Sequence, residues 1–207
     1  MEDLKKRRPG RPKGGSAIDR SEIAEAALKA IAAGGYSGLS MRGVARAAGV
    51  SLATVQRNYP TKDELWEGAV DHYMDGLEEP SLAEPGDPLA LMIERFLGFN
   101  STHPGLVTAI FTDRAPGHEE RHGYVAGRLS ARHERSLALL GDLQDHGVMR
   151  RVDGRALLLF LNMGLGAISS APAATNLIYG FDLEDPAERR RLAAALADIL
   201  RLGLEAR

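Results

Sequence analysis

His118-Glu119-Glu120-Arg121-His122 spells the His-Glu-x-x-His pattern. On a helix this places two imidazoles one turn apart to hold zinc, with the glutamate as general base. The surroundings point elsewhere. The run follows Pro116-Gly117 at a helix start, among charged residues rather than in a buried helix, and Val125 and Arg128 stand where the longer pattern needs Gly and His. Glu134, Asp142 and Asp145 are all conceivable third ligands and nothing selects one. The run reads as a solvated helix start with no metal assigned. There is no Gly-x-Ser-x-Gly elbow and no glycine-rich phosphate loop after a strand, so neither an enzyme nor a cofactor is expected.

A second group of side chains suits nucleic acid. Gln56 can pair with adenine through two hydrogen bonds and Arg57 with guanine in the same way. With Thr54 and Asn58 they form the outward face of a short helix that opens at Ser51 and cannot pass Pro60. The hydroxyls of Ser40, Ser51 and Thr54, and the helix N-termini beside the first two, suit phosphate oxygens.

These residues need a scaffold, and residues 39–59 have the parts of a helix-turn-helix. Ala45 or Ala48 lets two helices cross closely, Gly49 permits the turn, and Val50 and Val55 anchor the second helix inward. Ahead of it, Asp19-Arg20-Ser21-Glu22 has capping-box spacing and Ile23, Ala27, Leu28 and Ile31 recur on one face, until Gly34-Gly35 ends the helix. After it, Thr61-Lys62-Asp63-Glu64 is a second box, opening a helix with Leu65, Trp66, Ala69 and Tyr73. Further helices are expected from Asp87-Pro88, from Pro104 through Phe111, over 119–146, over 153–170 and from Asp185-Pro186 onward. No strand is expected. The fold class is all-α.

The run Gly35-Tyr36-Ser37-Gly38-Leu39-Ser40-Met41-Arg42-Gly43-Val44-Ala45, then Ala48-Gly49-Val50-Ser51, Thr54 and Tyr59-Pro60-Thr61-Lys62-Asp63-Glu64-Leu65, resembles the N-terminal domain of TetR-family transcriptional regulators. The likeness covers about residues 18–73; the rest is similar only in length and helical layout. It implies that Ser40, Arg42, Thr54, Tyr59 and Lys62 contact the DNA backbone or place the recognition helix. Many members carry aromatics where this chain has Gln56 and Asn58, so base reading is expected to centre on Gln56 and Arg57. The expected organisation is an arm (1–17), a three-helix DNA-binding domain (18–65) and a helical ligand-binding and dimerisation domain (66–207).

Charge divides along the same line. The first 65 residues carry a net +5 and the remainder −7, which sum to −2. The arm contains Pro9-Gly10-Arg11-Pro12-Lys13, close to the Gly-Arg-Pro core of minor-groove binders. Arg8, Arg11 and Lys13 are therefore expected to reach an A·T-rich minor groove. The chain has 207 residues and no cysteine, which excludes disulfides and thiolate metal sites and suits a cytoplasmic protein. Residues 156–181 lack charge, but their apolar part (157–168) is too short to span a bilayer and reads as a core helix; no membrane is expected.

That apolar helix needs cover on both sides, and Gly164, Gly166 and Ala167 allow close approach. With the helix at 186–204 it forms the expected homodimer surface, presenting two recognition helices to a pseudo-palindromic operator on double-stranded DNA. By the resemblance, a small-molecule effector bound in the C-terminal domain releases a repressor from that operator. Phe96, Phe99, Asn100, Phe111, His133, Phe160, Asn162 and Met163 are the candidate pocket walls. The alternative is a DNA-binding protein without an effector, an architectural or division factor.

Overall fold

The computed structural model describes residues 20–77, 85–147, 149 and 151–204, with side chains described as far as residue 200. The arm, and with it Arg8, Arg11, Lys13 and the Asp19 cap, lies outside the described residues. Among those described there are ten helices and no strand.

The helices begin where their caps require. Ser40 Oγ accepts from Gly43 N at the start of α2 (Met41–Ala47), Ser51 Oγ from Thr54 N at α3 (Leu52–Asn58), and Thr61 from Glu64 N at α4 (Lys62–Asp75). Each cap satisfies an N–H that would otherwise lack a partner, worth about 1 kcal/mol. The preceding helix, α1 (Arg20–Gly38), is interrupted at Gly34 and at Gly35, whose φ of 61° favours glycine. Gly49, with φ 68°, makes the turn between α2 and α3.

In the remainder, Asp87 caps α5 (Pro88–Ser101) with Pro88 in its first turn. The brief α6 (Leu106–Phe111) starts two residues later than Pro104, because Gly105 precedes it in the left-handed region. The long helix α7 (His118–Asp145) and the apolar α8 (Gly154–Ser170, capped by Asp153) fall within a residue of expectation. One element was not anticipated. Pro172 opens a further helix, α9 (Pro172–Tyr179), bent by 89° from α8 and ended by Gly180, before α10 (Pro186–Leu204). No single helix among the described residues is long and apolar enough to cross a membrane.

Burial divides α8 by face. Leu157, Leu158, Leu161 and Leu165 point inward, while Leu159 (63% exposed) and Phe160 (66%) point out. Two apolar cores result. The first joins α1–α4 to α6 and the start of α7, through Leu106, Val107, Ile110 and Val125; the second is built from α5, α7, α8 and α10. The helix-turn-helix thus shares its core with residues more than forty positions downstream.

Polar contacts brace the same joint. His103, 7% exposed and just after α5, lies with Nε2 3.0 and 3.1 Å from the Glu25 carboxylate oxygens of α1, and Thr102 Oγ1 is 2.8 Å from its other ring nitrogen. Lys29 and, at 3.8 Å, His72 also approach Glu25. Burial pushes the Glu25 carboxyl up, but His103 and Lys29 together outweigh it and hold the group below its ordinary value. A carboxyl with a lowered folded-state pKa contributes stability above its unfolded value and loses it as the pH falls through the lowered one. Urea midpoints at neutral pH and near pH 3 should therefore converge for Glu25→Gln and wild type at the acid end, with Glu25→Gln less stable only at neutral pH.

Candidate DNA interface and ligand cavity

The second helix of the motif, α3, presents its polar side to solvent. Gln56 and Arg57 are exposed, and among the described residues neither is engaged by a hydrogen bond or ion pair. Both are therefore free to meet base edges. Thr54 and Asn58 are more committed. Thr54 Oγ1 lies 2.9 Å from Ser51 Oγ, and Asn58 Nδ2 donates to Thr54 O, folding the amide back on its own helix. Ser40 and Ser51 stay exposed at the N-termini of α2 and α3 while serving as caps. Arg42 is exposed on α2. So is Arg46 one turn on, a cation that the motif reading passed over although its i+4 spacing from Arg42 places both on one face.

Of the two roles the resemblance implies for Tyr59, its burial fits placing the recognition helix and leaves no surface for touching DNA. It is 2% exposed, its hydroxyl donates to Arg20 O, and the Arg20 guanidinium lies over its ring. A β-carbon at Gly68 would fall 2.2 Å from that ring, so α4 approaches closely because residue 68 is glycine. Tyr59 fixes the end of α3 from within the core.

Lys62 opens α4 beside a stacked cluster. Its Nζ lies 4.1 Å from the Tyr36 ring centroid, and the Arg121 guanidinium of α7 lies 3.5 Å from the same ring. The Tyr36 hydroxyl donates to Asp63 Oδ1 at 2.6 Å. Burial, then this bond, pushes the phenol up to about 12. Burial and the Arg121 charge hold the Lys62 ammonium below its ordinary value. Arg121 is only 5% exposed and fully engaged: it pairs with Asp113 at 2.7 Å and donates to the carbonyls of Ala115 and Pro116. Removing one partner of such a buried pair leaves an uncompensated charge, at a cost of about 3–5 kcal/mol. Above it, Arg128 of α7 pairs with Asp71 and Asp75 of α4, Tyr124 donates to Asp71, and Trp66 meets Tyr124 edge-on.

The two histidines of the His-Glu-x-x-His run therefore flank a structural arginine. His118 Nδ1 lies 3.2 Å from Ala115 O and His122 Nε2 3.2 Å from Ile110 O. No cluster of three or more potential metal ligands occurs among the described residues.

A cavity of about 80 Å³ opens between α4, α5, α6, α7 and α8. Four of the eight expected wall residues line it: Phe96, Phe111, His133 and Asn162. The other four do not. Phe99 packs instead on Tyr73 and against Gly76, and Asn100 is buried accepting from the Tyr73 hydroxyl and donating to Phe96 O. Phe160 and Met163 lie on the outward face of α8. The pattern of α8 gave no means of separating its faces, because nearly every position is apolar. Tyr73, Met74 and Leu77 at the end of α4 were missed as walls, as was Ser136, one turn beyond His133 on α7. The spacing of His133 and Ser136 was the signal available for the latter.

Residues 23–69 match the family of bacterial regulatory proteins described as the tetR family. Among solved structures, the fatty acid degradation regulator FadR from Bacillus halodurans has a similar fold (TM-score 0.68, 18% identity), covering 94% of this chain and 100% of that one. FadR from Bacillus subtilis in complex with stearoyl-CoA aligns with TM-score 0.66 at 17% identity, over 90% and 100% of the two chains. The ketosteroid regulator KstR2 of Mycobacterium tuberculosis aligns with TM-score 0.64 at 17% identity, over 91% and 95%. No curated protein matches the chain. Residues 23–69 thus match the helix-turn-helix segment of that family, and the chain as a whole shares the all-helical fold of these solved regulators.

Proposed function

We propose that this protein is a transcriptional regulator of that family, a repressor that binds a pseudo-palindromic operator as a homodimer and leaves it when a small molecule enters the C-terminal cavity. The observation that carries the reading is the position of α4. One end of this 14-residue helix follows the recognition helix after three residues and carries Lys62; the other end, through Tyr73 and Met74, is a wall of the cavity. At 1.5 Å per residue, α4 links two sites about 20 Å apart as one stiff rod.

The cavity as it stands holds a few waters rather than a larger molecule, so a ligand must part its walls. Two of those walls, α4 and α6, belong to the core of the DNA-binding domain. A ligand that binds better when they separate favours the conformer with shifted recognition helices, and DNA affinity falls by the same coupling. The alternative without an effector lacks any use for this shared wall.

Dimerisation is supported by apolar surface. Leu159 and Phe160 on α8, Leu177, Ile178 and Tyr179 on α9 and Ile199 on α10 are all more than half exposed. In the proposed assembly α8 and α10 of two copies pack as four helices and α9 extends their rim. Base reading falls to Gln56 and Arg57, phosphate contact to Ser40, Arg42, Arg46, Ser51, Thr54 and Lys62, and minor-groove contact to the arm.

Selection from a random duplex pool by the full-length protein should enrich an inverted repeat with half-sites a helical turn or more apart. No enrichment would contradict the proposal. On the selected site, Gln56→Ala or Arg57→Ala should cost about 1–3 kcal/mol and relax preference at one position per half-site. Arg42→Ala and Arg46→Ala should instead weaken all sequences alike and reduce the dependence of affinity on salt.

A further inference from the structure

Three polar side chains in the cavity have no bonding role in the fold. His133 and Ser136 stand one turn apart on α7, and Asn162 belongs to α8, which packs against α7. Among the described residues none of the three makes a hydrogen bond or ion pair. All three can donate: the imidazole has an N–H in either tautomer, the hydroxyl one proton, and the amide two. Partly buried donors without acceptors cost free energy, which a ligand oxygen there would recover.

One charged side chain is described at the cavity wall. Arg132 lines the same cavity, its Nη1 donating to Leu77 O at the end of α4, and no Asp or Glu is among the described lining residues. A cationic ligand would find no carboxylate among those described residues. An oxygen that is anionic or carries partial negative charge would find several donors and a guanidinium. The opposite walls are apolar, and the one phenol among them, Tyr73, already gives its proton to Asn100. Met74 and Met92 can adapt to what enters, since the thioether chain is unbranched and flexible. A narrow cavity with such walls admits a single methylene chain with less displacement than a rigid ring system.

We propose that the cavity takes an acyl chain, its tail among α4, α5 and α6 and its carboxyl-derived oxygen on the donors His133, Ser136 and Asn162 beside Arg132. The head is a free carboxylate or a thioester carbonyl; both present the same acceptor. This specifies the effector class for the ligand-triggered release proposed above and rests on that reading for its regulatory consequence, but not for binding itself.

The test uses three probes with one tail: dodecanoate, dodecanoyl-coenzyme A and dodecyltrimethylammonium. Each is titrated calorimetrically into the full-length protein, and operator affinity is measured in parallel. At least one acyl probe should bind, and the ammonium at least about tenfold more weakly. Whichever acyl probe binds more tightly identifies the head. Asn162→Leu and His133→Leu should each weaken acyl binding about tenfold while the protein keeps a cooperative thermal transition. Asn162→Asp, which replaces donors by a negative charge, should weaken the carboxylate most, and His133→Gln, which keeps an N–H, should retain most of the affinity. Equal binding of the ammonium, no binding by any probe, or leucine variants that bind as wild type would each overturn the assignment. Operator release by the ammonium alone would overturn the head group and leave ligand-triggered release standing. Acyl binding with unchanged operator affinity would support the site and contradict the release mechanism.

Discussion

The packing of α6 against α1 is the contact on which the rest of the molecule depends. Leu106, Val107 and Ile110 complete a core that includes Ile23, Leu28, Ile31, Val44, Val55 and Leu65, so the three-helix motif is closed from outside by a helix some fifty positions further along the chain. Six residues long, α6 has little stability of its own. It is held by burial on one side and by α8 on the other, where Gly166 lets the two backbones come close to Val107. Helix α6 thus packs between α8 and α1, the contact through which the proposed mechanism would pass a displacement of the cavity wall.

Charge acts at the same joint but differently. Apolar packing tolerates sliding, whereas the stack of Arg121 on Tyr36, with Lys62 on the same ring and Asp63 on its hydroxyl, has fixed geometry. Arg121 is anchored from below by Asp113 and two backbone carbonyls, so the start of α7 and the start of α4 move together. Arg128, bridging Asp71 and Asp75, repeats the tie a turn or two higher. The ties hold α4 and α7 in register, and a ligand that parts them must work against both.

How much of this was legible in the sequence follows from the range of the interactions. Ser40, Ser51, Thr61, Asp87 and Asp153 announce helix starts because a cap involves residues two or three apart. The outward face of α3 was legible for the same reason. Helix α9 was not, since a proline after an apolar run reads as a stop, and only the bend at Ala171 makes it a start. Arg121 was hidden inside a zinc-like spelling, and the ring it stacks on, Tyr36, lies 85 positions away. Phe160 and Met163 read as pocket walls because an apolar helix does not declare which side meets its neighbours. The donors His133 and Asn162 stood out because polar groups are rare there; Tyr73 and Met74, on the helix that Thr61 opens, did not.

The central claim is that pressure on α6 from the cavity side is felt at the operator. Gly166→Ala applies that pressure without any ligand, since the added methyl would lie 2.9 Å from Val107 Cγ1 and α6 or α8 must give way. The direct measurement is operator affinity of the unliganded Gly166→Ala protein, beside its thermal midpoint. The account predicts affinity reduced at least about fivefold while the protein remains folded with a cooperative transition. A folded Gly166→Ala protein that binds operator as tightly as wild type would contradict it.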